Sequence, residues 1–162
     1  MIVGKCDKKG ISMLKIAIGA DHRGYQHKAV LQHGVTLETK RIEWIDVGCY
    51  SADRTDYPPF AYDLVQAIKL GRAELGILLC GTGVGMAIAA NRFENIYAAV
   101  VWNTETARRS KEEDNANVLS LPADYLTPEQ SIELVIAWLE AKFRGERYAQ
   151  RINTINSWGG LK

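Results

Sequence analysis

The sequence predicts one α/β domain, a Rossmann-like, doubly wound, five-stranded parallel sheet with helices on both faces. Three observations carry this. Apolar runs of strand length, such as Leu14–Gly19, Leu75–Leu79 and Ile96–Val101, are near-continuous rather than alternating, as strands buried on both faces must be. They alternate with helix-period segments, the pattern of parallel strands joined by crossover helices. Between them Glu74–Asn91, ELGILLCGTGVGMAIAAN, reads as strand, glycine-rich turn and helix. That arrangement brings backbone N–H groups and a positive helix end to an anion.

Composition bounds the rest. A chain of 162 residues with 47% apolar content suits one domain with a full core. A net charge of +1, from 20 basic and 19 acidic residues spread along the chain, gives no reason to expect nucleic acid or a membrane surface. No apolar run approaches membrane-spanning length. The three cysteines, Cys6, Cys49 and Cys80, are far apart and form no CxxC. This argues against a disulfide framework or a zinc site and for a reducing compartment, the cytoplasm.

Taken in order, residues 1–12 are polar, lack a signal-peptide core and read as a flexible extension, with Met13 an alternative start and 13–162 the domain. Cys6 then has no function. The first strand, Leu14–Gly19, ends in Ala20-Asp21-His22-Arg23-Gly24, and a helix follows from about Gly24. Asp21 and His22 thus fall at the ligand-facing edge of an open α/β sheet. The plainer reading of Asp21 is a helix cap. His27 and His33 read as surface residues on that helix, which runs past Gly34. A second strand, Ile42–Gly48, leads into a polar, aromatic, proline-stiffened loop over 49–59, a connector or a binding wall. Cys49 reads as structural.

Proline opens a helix over about Pro59–Leu70. After the glycine turn and the strand Ile96–Val101, Asn103 or Thr104 caps a helix carrying Thr106–Glu113. A short strand, Val118–Leu121, follows. Thr127-Pro128-Glu129-Gln130 is a capping box. Ile132, Val135, Ile136, Leu139 and Phe143 recur at helical spacing, and Gly145 stops that helix. A last short helix carries Arg147 and Arg151, four apart on one face, a pair that is either solvated or suited to a phosphate.

The chemistry concentrates at Cys80, the last residue of its strand. Helix N-termini favour thiolate, so the segment offers an anion cradle and a candidate base or nucleophile. The plainer reading is a tight turn with a buried, inert cysteine. Gly81, Gly83 and Gly85 alternate as GxGxG, neither the dinucleotide fingerprint nor a P-loop. That spacing, with no acidic ribose reader, speaks against a dehydrogenase.

In order, Gly19-Ala20-Asp21-His22-Arg23-Gly24, Arg54-Thr55-Asp56-Tyr57-Pro58, Cys80-Gly81-Thr82-Gly83-Val84-Gly85, Asn115-Ala116-Asn117-Val118 and the Arg147–Arg151 pair resemble the sugar-phosphate isomerase family. That family joins type B ribose-5-phosphate isomerases and galactose-6-phosphate isomerases. The resemblance spans about residues 14–155 and is nearest the ribose type. It implies a metal-free and cofactor-free enzyme of the pentose phosphate pathway, a homodimer or tetramer with sites between subunits. The reaction it implies is ribose 5-phosphate to ribulose 5-phosphate through an enediolate. By the same resemblance Cys80 is the base and Gly81, Gly83, Val84 and Gly85 hold the oxyanion. Asp21 shuttles hydroxyl protons, His22 meets substrate, and Thr82 and Tyr57 line the pocket. Arg147 and Arg151 grip the phosphate, with Arg54 helping.

The sequence departs from the family in two respects. A His-Asn pair ahead of the Asn-Val-Leu strand usually opens the sugar ring, and here Glu113 and Asp114 stand there. Asp114 thereby takes a substrate-binding position. Only His22, His27 and His33 occur in the chain, and a cationic phosphate-side position is Asp124. Three readings stay open. Glu113 is the ring-opening acid, the substrate differs (galactose or allose 6-phosphate), or a second subunit type supplies the histidine. The first is favoured, because burial raises carboxyl pKa values. Outside catalysis the alternative is a sugar-phosphate-binding protein, against which Cys80 argues.

Overall fold

The computed structural model describes residues 12–158. Five strands form one parallel sheet in the order β2-β1-β3-β5-β4. They are β1 (Ser12–Ala20), β2 (Lys40–Asp46), β3 (Leu75–Cys80), β4 (Ala98–Val100) and β5 (Val118–Pro122). The helices are α1 (Tyr25–Gly34), α2 (Pro58–Lys69), α3 (Val84–Ala90), α4 (Thr104–Glu112), α5 (Pro128–Glu140) and α6 (Glu146–Ser157).

Side-chain alternation along the central strands divides the core into two layers. Ile16, Ile18, Ile77, Leu79, Leu119 and Leu121 point to one face and pack with Leu31 of α1, Ala107 of α4 and Leu134, Val135 and Trp138 of α5. Ala17, Leu78 and Cys80 point to the other, against Leu64 and Val65 of α2 and Met86 and Ala90 of α3. This is the double winding expected of near-continuous apolar strands. Each fully buried Leu or Ile contributes roughly 1.5–3 kcal/mol, which makes β3, inaccessible from Ile77 to Leu79, a stable rod for the turn that follows it.

Helix ends follow local chemistry. Asn103 caps α4 in a capping box with Thr106, and Thr127 does the same for α5 with Gln130. Four expectations need correction. First, α1 does not run past Gly34: a Cβ there would lie 2.4 Å from Ile132 Cδ1, so glycine lets the helix close against α5, and β2 starts at Lys40, before Ile42. Second, Gly145 does not stop α5, which ends at Glu140 and leaves Phe143 outside it. Gly145 instead precedes α6 with φ of +69°, a conformation open to glycine. Third, His27 is buried, not on the surface, because it shares the inner face of α1 with Lys28 and Leu31. Its Nδ1 has no partner, and burial lowers its pKa. Fourth, residue 12 belongs to β1. The rest of the expected extension, Cys6 included, lies outside the described residues. His33 is exposed as expected.

Candidate functional site

β1 lies between β2 and β3, so the connections leaving β1 and β3 diverge and open a crevice at their C-terminal ends. The Asp21 N–H donates to Leu79 O at 3.1 Å and ties the two turns together. Asp21 is buried, and its Oδ1 accepts from the N–H groups of Arg23 (2.9 Å) and Gly24 (3.2 Å). These bonds close a turn ahead of α1, whose N-cap is Gly24 with no side-chain cap, so Asp21 is not the helix cap; both fall on Oδ1 and leave Oδ2 for a ligand. His22 reaches the loop after β2. Its Nδ1 lies 3.1 Å from Thr55 O and 3.3 Å from Thr55 N, so one tautomer donates and the other accepts. Either way the imidazole latches the loop to the crevice. The Tyr57 ring covers the glycine turn, where a Cβ on Gly85 would meet Tyr57 Cζ at 2.7 Å.

Cys80 ends β3 with 5% of its surface exposed. Its Sγ accepts a hydrogen bond from the Gly83 N–H at 3.2 Å. Gly83 sits at φ +73°, where a side chain would be strained, and its added Cβ would press on Ser120 O at 3.2 Å. From beneath, the fully buried Ser120 Oγ donates to Gly83 O at 2.5 Å. Thr82 is exposed, and its Oγ1 accepts weakly from the Val84 N–H at 3.4 Å. Arg54 is exposed on the loop, one residue before Thr55. Thus Asp21, His22, Tyr57, Cys80, Thr82 and Gly81 through Gly85 converge, with Arg54 on the rim. Cys49 contrasts with Cys80: its Sγ donates to Ser51 O, and burial pushes its thiol up, which fits a structural residue.

The remaining expected residues lie elsewhere. Glu113 is the C-cap of α4, which runs back from the C-terminal end of β4. Asn117 follows, and its carbonyl accepts from Gly76 at the start of β3. Glu113 and Asp114 therefore sit toward the N-terminal edge of the sheet. Cys80 is at the far end of a six-residue strand, about 17 Å away along its axis. α6 is tied to the same edge by Tyr97 Oη, which donates to Asn156 Oδ1 at 2.7 Å. Arg147 and Arg151 stack on the ring of buried Tyr148 at 4.8 and 5.4 Å, and Arg147 Nη2 donates to its Oη at 2.9 Å. That bond holds the Tyr148 hydroxyl below the usual phenol range. Glu113 faces Arg109 Nε at 3.5 Å and Arg144 Nη1 at 3.8 Å. Asp114 is raised by burial and then by Glu113. A groove of 760 Å³ between α6 and the α3–β4 connection includes Asp114, Phe93 and Ile152 in its lining, but no residue of the Cys80 crevice.

Sequence reasoning missed four supporting residues. Ser120 props the glycine turn and Tyr148 orders the arginines. Lys28, only 3% exposed, donates to Asp46 Oδ1 at 2.6 Å and Cys49 O at 2.7 Å, fixing the start of the loop that His22 holds. Arg23 pairs with Asp124, so the acidic residue at the expected cationic position is not alone. Of these, Tyr148 lies between the two arginines and Arg23 within the Gly19–Gly24 motif, whereas Ser120 and Lys28 carried no sequence signal. Among the described residues no group of three or more His, Cys, Asp or Glu side chains could hold a metal.

Comparison with known proteins places these features. The ribose/galactose isomerase family matches residues 16–155. The chain is 39% identical over 147 residues to ribose-5-phosphate isomerase B of Escherichia coli, covering 90% of this chain and 96% of that protein. It is 41% identical over 147 residues to D-erythrulose-4-phosphate isomerase of Pectobacterium atrosepticum, covering 88% and 93%. The crystal structure of Mycoplasma genitalium ribose-5-phosphate isomerase B with bound ribulose-5-phosphate superposes with a TM-score of 0.83 at 36% identity, covering 94% of this chain and 99% of that one. The order of motifs, the parallel sheet and the Cys80 turn at its switch point thus have one explanation: the chain belongs to the ribose/galactose isomerase family.

Proposed function

We propose that the protein is an aldose–ketose isomerase that interconverts ribose 5-phosphate and ribulose 5-phosphate through an enediolate, with Cys80 as the base. The observation that carries this is the Cys80 thiol at the end of a buried strand, between Asp21 and the glycine turn. Cys80 removes the proton from the carbon beside the aldehyde and returns it to the neighbouring carbon. Asp21 Oδ2 moves the hydroxyl proton between the two oxygens. Backbone N–H groups of Gly81–Gly85 stabilise the developing oxyanion, a contribution of about 3–4 kcal/mol where such donors are preorganised.

Arg147 and Arg151 are the phosphate ligands in this reading. They lie at the opposite edge from Cys80, farther than an extended five-carbon chain reaches. The site therefore closes between copies: one protomer supplies Asp21, Cys80 and the glycine turn, and its partner supplies Arg147, Arg151, Glu113 and Asp114. Exposed Val84 and Ile88, four apart on α3, and exposed Trp102 support a homodimer or tetramer. No helix of the described residues is long and apolar enough to cross a membrane, which suits an enzyme of the cytoplasm.

The test mixes two variants. Cys80→Ala and Arg147→Ala homo-oligomers should each be nearly inactive on ribose 5-phosphate. Mixed and re-equilibrated dimers should regain about a quarter of native activity, because half the dimers pair unlike subunits and each holds one intact site. No regain, or an active monomer by sedimentation, defeats the shared site. Failure of the native protein to isomerise any sugar phosphate defeats the reaction.

A second substrate has a specific observation in its favour. The chain has no histidine after His33, and Glu113 is engaged by two arginines. A four-carbon sugar phosphorylated at its terminal oxygen cannot close a furanose and needs no ring opening. The Pectobacterium relative is named for such a substrate. Higher kcat/KM on D-erythrulose 4-phosphate than on ribose 5-phosphate would select this reading.

A further inference from the structure

Arg23 and Asp124 come from the turns after β1 and β5 and meet over β3, which lies between those strands. Arg23 Nε lies 2.9 Å from both carboxylate oxygens of Asp124, and Nη2 lies 2.6 Å from Oδ2. The pair rests directly on the glycine turn. A Cβ on Gly81 would fall 2.6 Å from Asp124 Oδ2 and 2.8 Å from Arg23 Nε. Backbone bonds hold the acid there, since the Asp124 N–H donates to Gly81 O at 3.0 Å and the Ala123 N–H to Cys80 O at 2.9 Å. Asp124 therefore cannot withdraw from the cradle by a simple loop movement.

This placement poses an electrostatic problem. The cradle must accept an anionic substrate and the further negative charge of an enediolate, yet a carboxylate lies against its first glycine. Left alone, that charge would repel both. Asp124 is about one-third exposed and Arg23 about one-half, so water screens the pair in part. The bidentate guanidinium supplies the rest of the neutralisation.

We propose that Arg23 is a positioning residue of the anion site, which neutralises Asp124 over Gly81 and so keeps the cradle open to a sugar phosphate. It acts through Asp124, not by touching the reacting atoms. The inference rests on the isomerase reading for its substrate class.

Four proteins test it: wild type, Arg23→Ala, Asp124→Asn and the double variant. Sugar phosphates of four to six carbons are the probes. Binding is read by calorimetry, and kcat and KM are measured in parallel. Arg23→Ala bares the carboxylate and should weaken binding by about ten-fold or more, with a larger fall at low salt than at high. Asp124→Asn frees the cation and should tighten binding. The double variant should return to within about three-fold of wild type, because the net charge over Gly81 is restored. An ion pair that only braces the two turns predicts otherwise: both single variants and the double would lose thermal stability and affinity together. A double variant as weak as Arg23→Ala overturns the inference, as does Arg23→Ala binding that matches wild type. Binding in the expected order without turnover would overturn the isomerase reading alone. No binding of any probe by the wild type would overturn both.

Discussion

Cys80 can be removed in two ways that separate fold from chemistry. Cys80→Ala deletes a buried sulfur from the layer beneath α2 and α3, a loss of about 0.8–1 kcal/mol of burial. It also strips the Gly83 N–H of its acceptor, which costs about 1–3 kcal/mol for a buried group. Together these give about 2–4 kcal/mol, or a fall in Tm of about 4–16 °C for a chain of this size. Cys80→Ser keeps an acceptor for the Gly83 N–H, so its Tm should fall much less. A serine hydroxyl is nevertheless far too weakly acidic to supply a resting base. Both variants should lose about 10²–10⁴ in kcat on ribose 5-phosphate, the range for a general base. The assay is isomerisation beside thermal melting, with competitive inhibition by a sugar-phosphate analogue as the measure of an intact pocket. Turnover within a few-fold of native in the serine variant would refute the base. So would activity losses that follow Tm across the two variants.

Four other outcomes are expected. Arg147→Ala and Arg151→Ala should each raise KM by about 10- to 100-fold with kcat changed far less, since a charge-assisted bond contributes about 1.5–3 kcal/mol; an unchanged inhibition constant for a sugar-phosphate analogue would count against the phosphate role. Lys28→Met takes the cation from Asp46, which keeps the Gln32 amide and the Gly48 N–H as donors, and removes the Lys28 donor from Cys49 O; it should cost about 1–3 kcal/mol, seen as a fall in Tm of about 2–12 °C, whereas Lys28→Met/Asp46→Asn should recover part of it. Glu105 is held below the usual carboxylate range, first by its hydrogen bond to Arg108, so it stabilises the fold above its unfolded pKa and that contribution fades as pH falls through its folded pKa. The difference in Tm between native protein and Glu105→Gln should therefore shrink in acid, and a constant difference would reject the linkage. Glu113→Gln should be slow on cyclic ribose 5-phosphate yet nearly normal on an open-chain tetrose phosphate if Glu113 opens the ring; equal losses on both would reject that role.

Much of the fold was legible because burial leaves its mark on residue type. Strands covered on both faces must be apolar throughout, so β1, β3 and β5 announce themselves, while Asn103 or Thr104 and the Thr127–Gln130 capping box mark the starts of α4 and α5 within a residue. What escaped depends on partners distant in sequence. Gly34 looks permissive for a longer helix until Ile132, nearly a hundred residues on, meets it. His27 looks like a polar surface residue because α1 has no clean apolar stripe, and its inner face is completed by Lys28. Arg23 and Asp124 are separated by 101 positions, and Ser120 and Gly83 by 37. No local pattern announces such pairs.

The candidate site was legible as a set of residue types but not as a place. Motif order lists Cys80, Glu113 and Arg147 alike, and only the topology sorts them. In a parallel sheet every strand ends at one edge and every crossover helix returns to the other. A residue at the end of β3 and a residue at the end of α4 must therefore lie on opposite edges of one protomer. The same sorting changes the argument about Glu113. From the sequence, Glu112 and Asp114 are its nearest charges, and repulsion would favour the protonated acid that ring opening needs. In the fold, Arg109 and Arg144 face it, and Glu112 is itself taken up by Arg108 and Arg144. Glu113 thus belongs to an ion-pair cluster shared with Arg109 and Arg144, not to the isolated acidic run that the sequence suggests. Equal losses of Glu113→Gln on cyclic ribose 5-phosphate and on an open-chain tetrose phosphate would assign Glu113 to that cluster and pass ring opening to another group, or to a substrate with no ring to open.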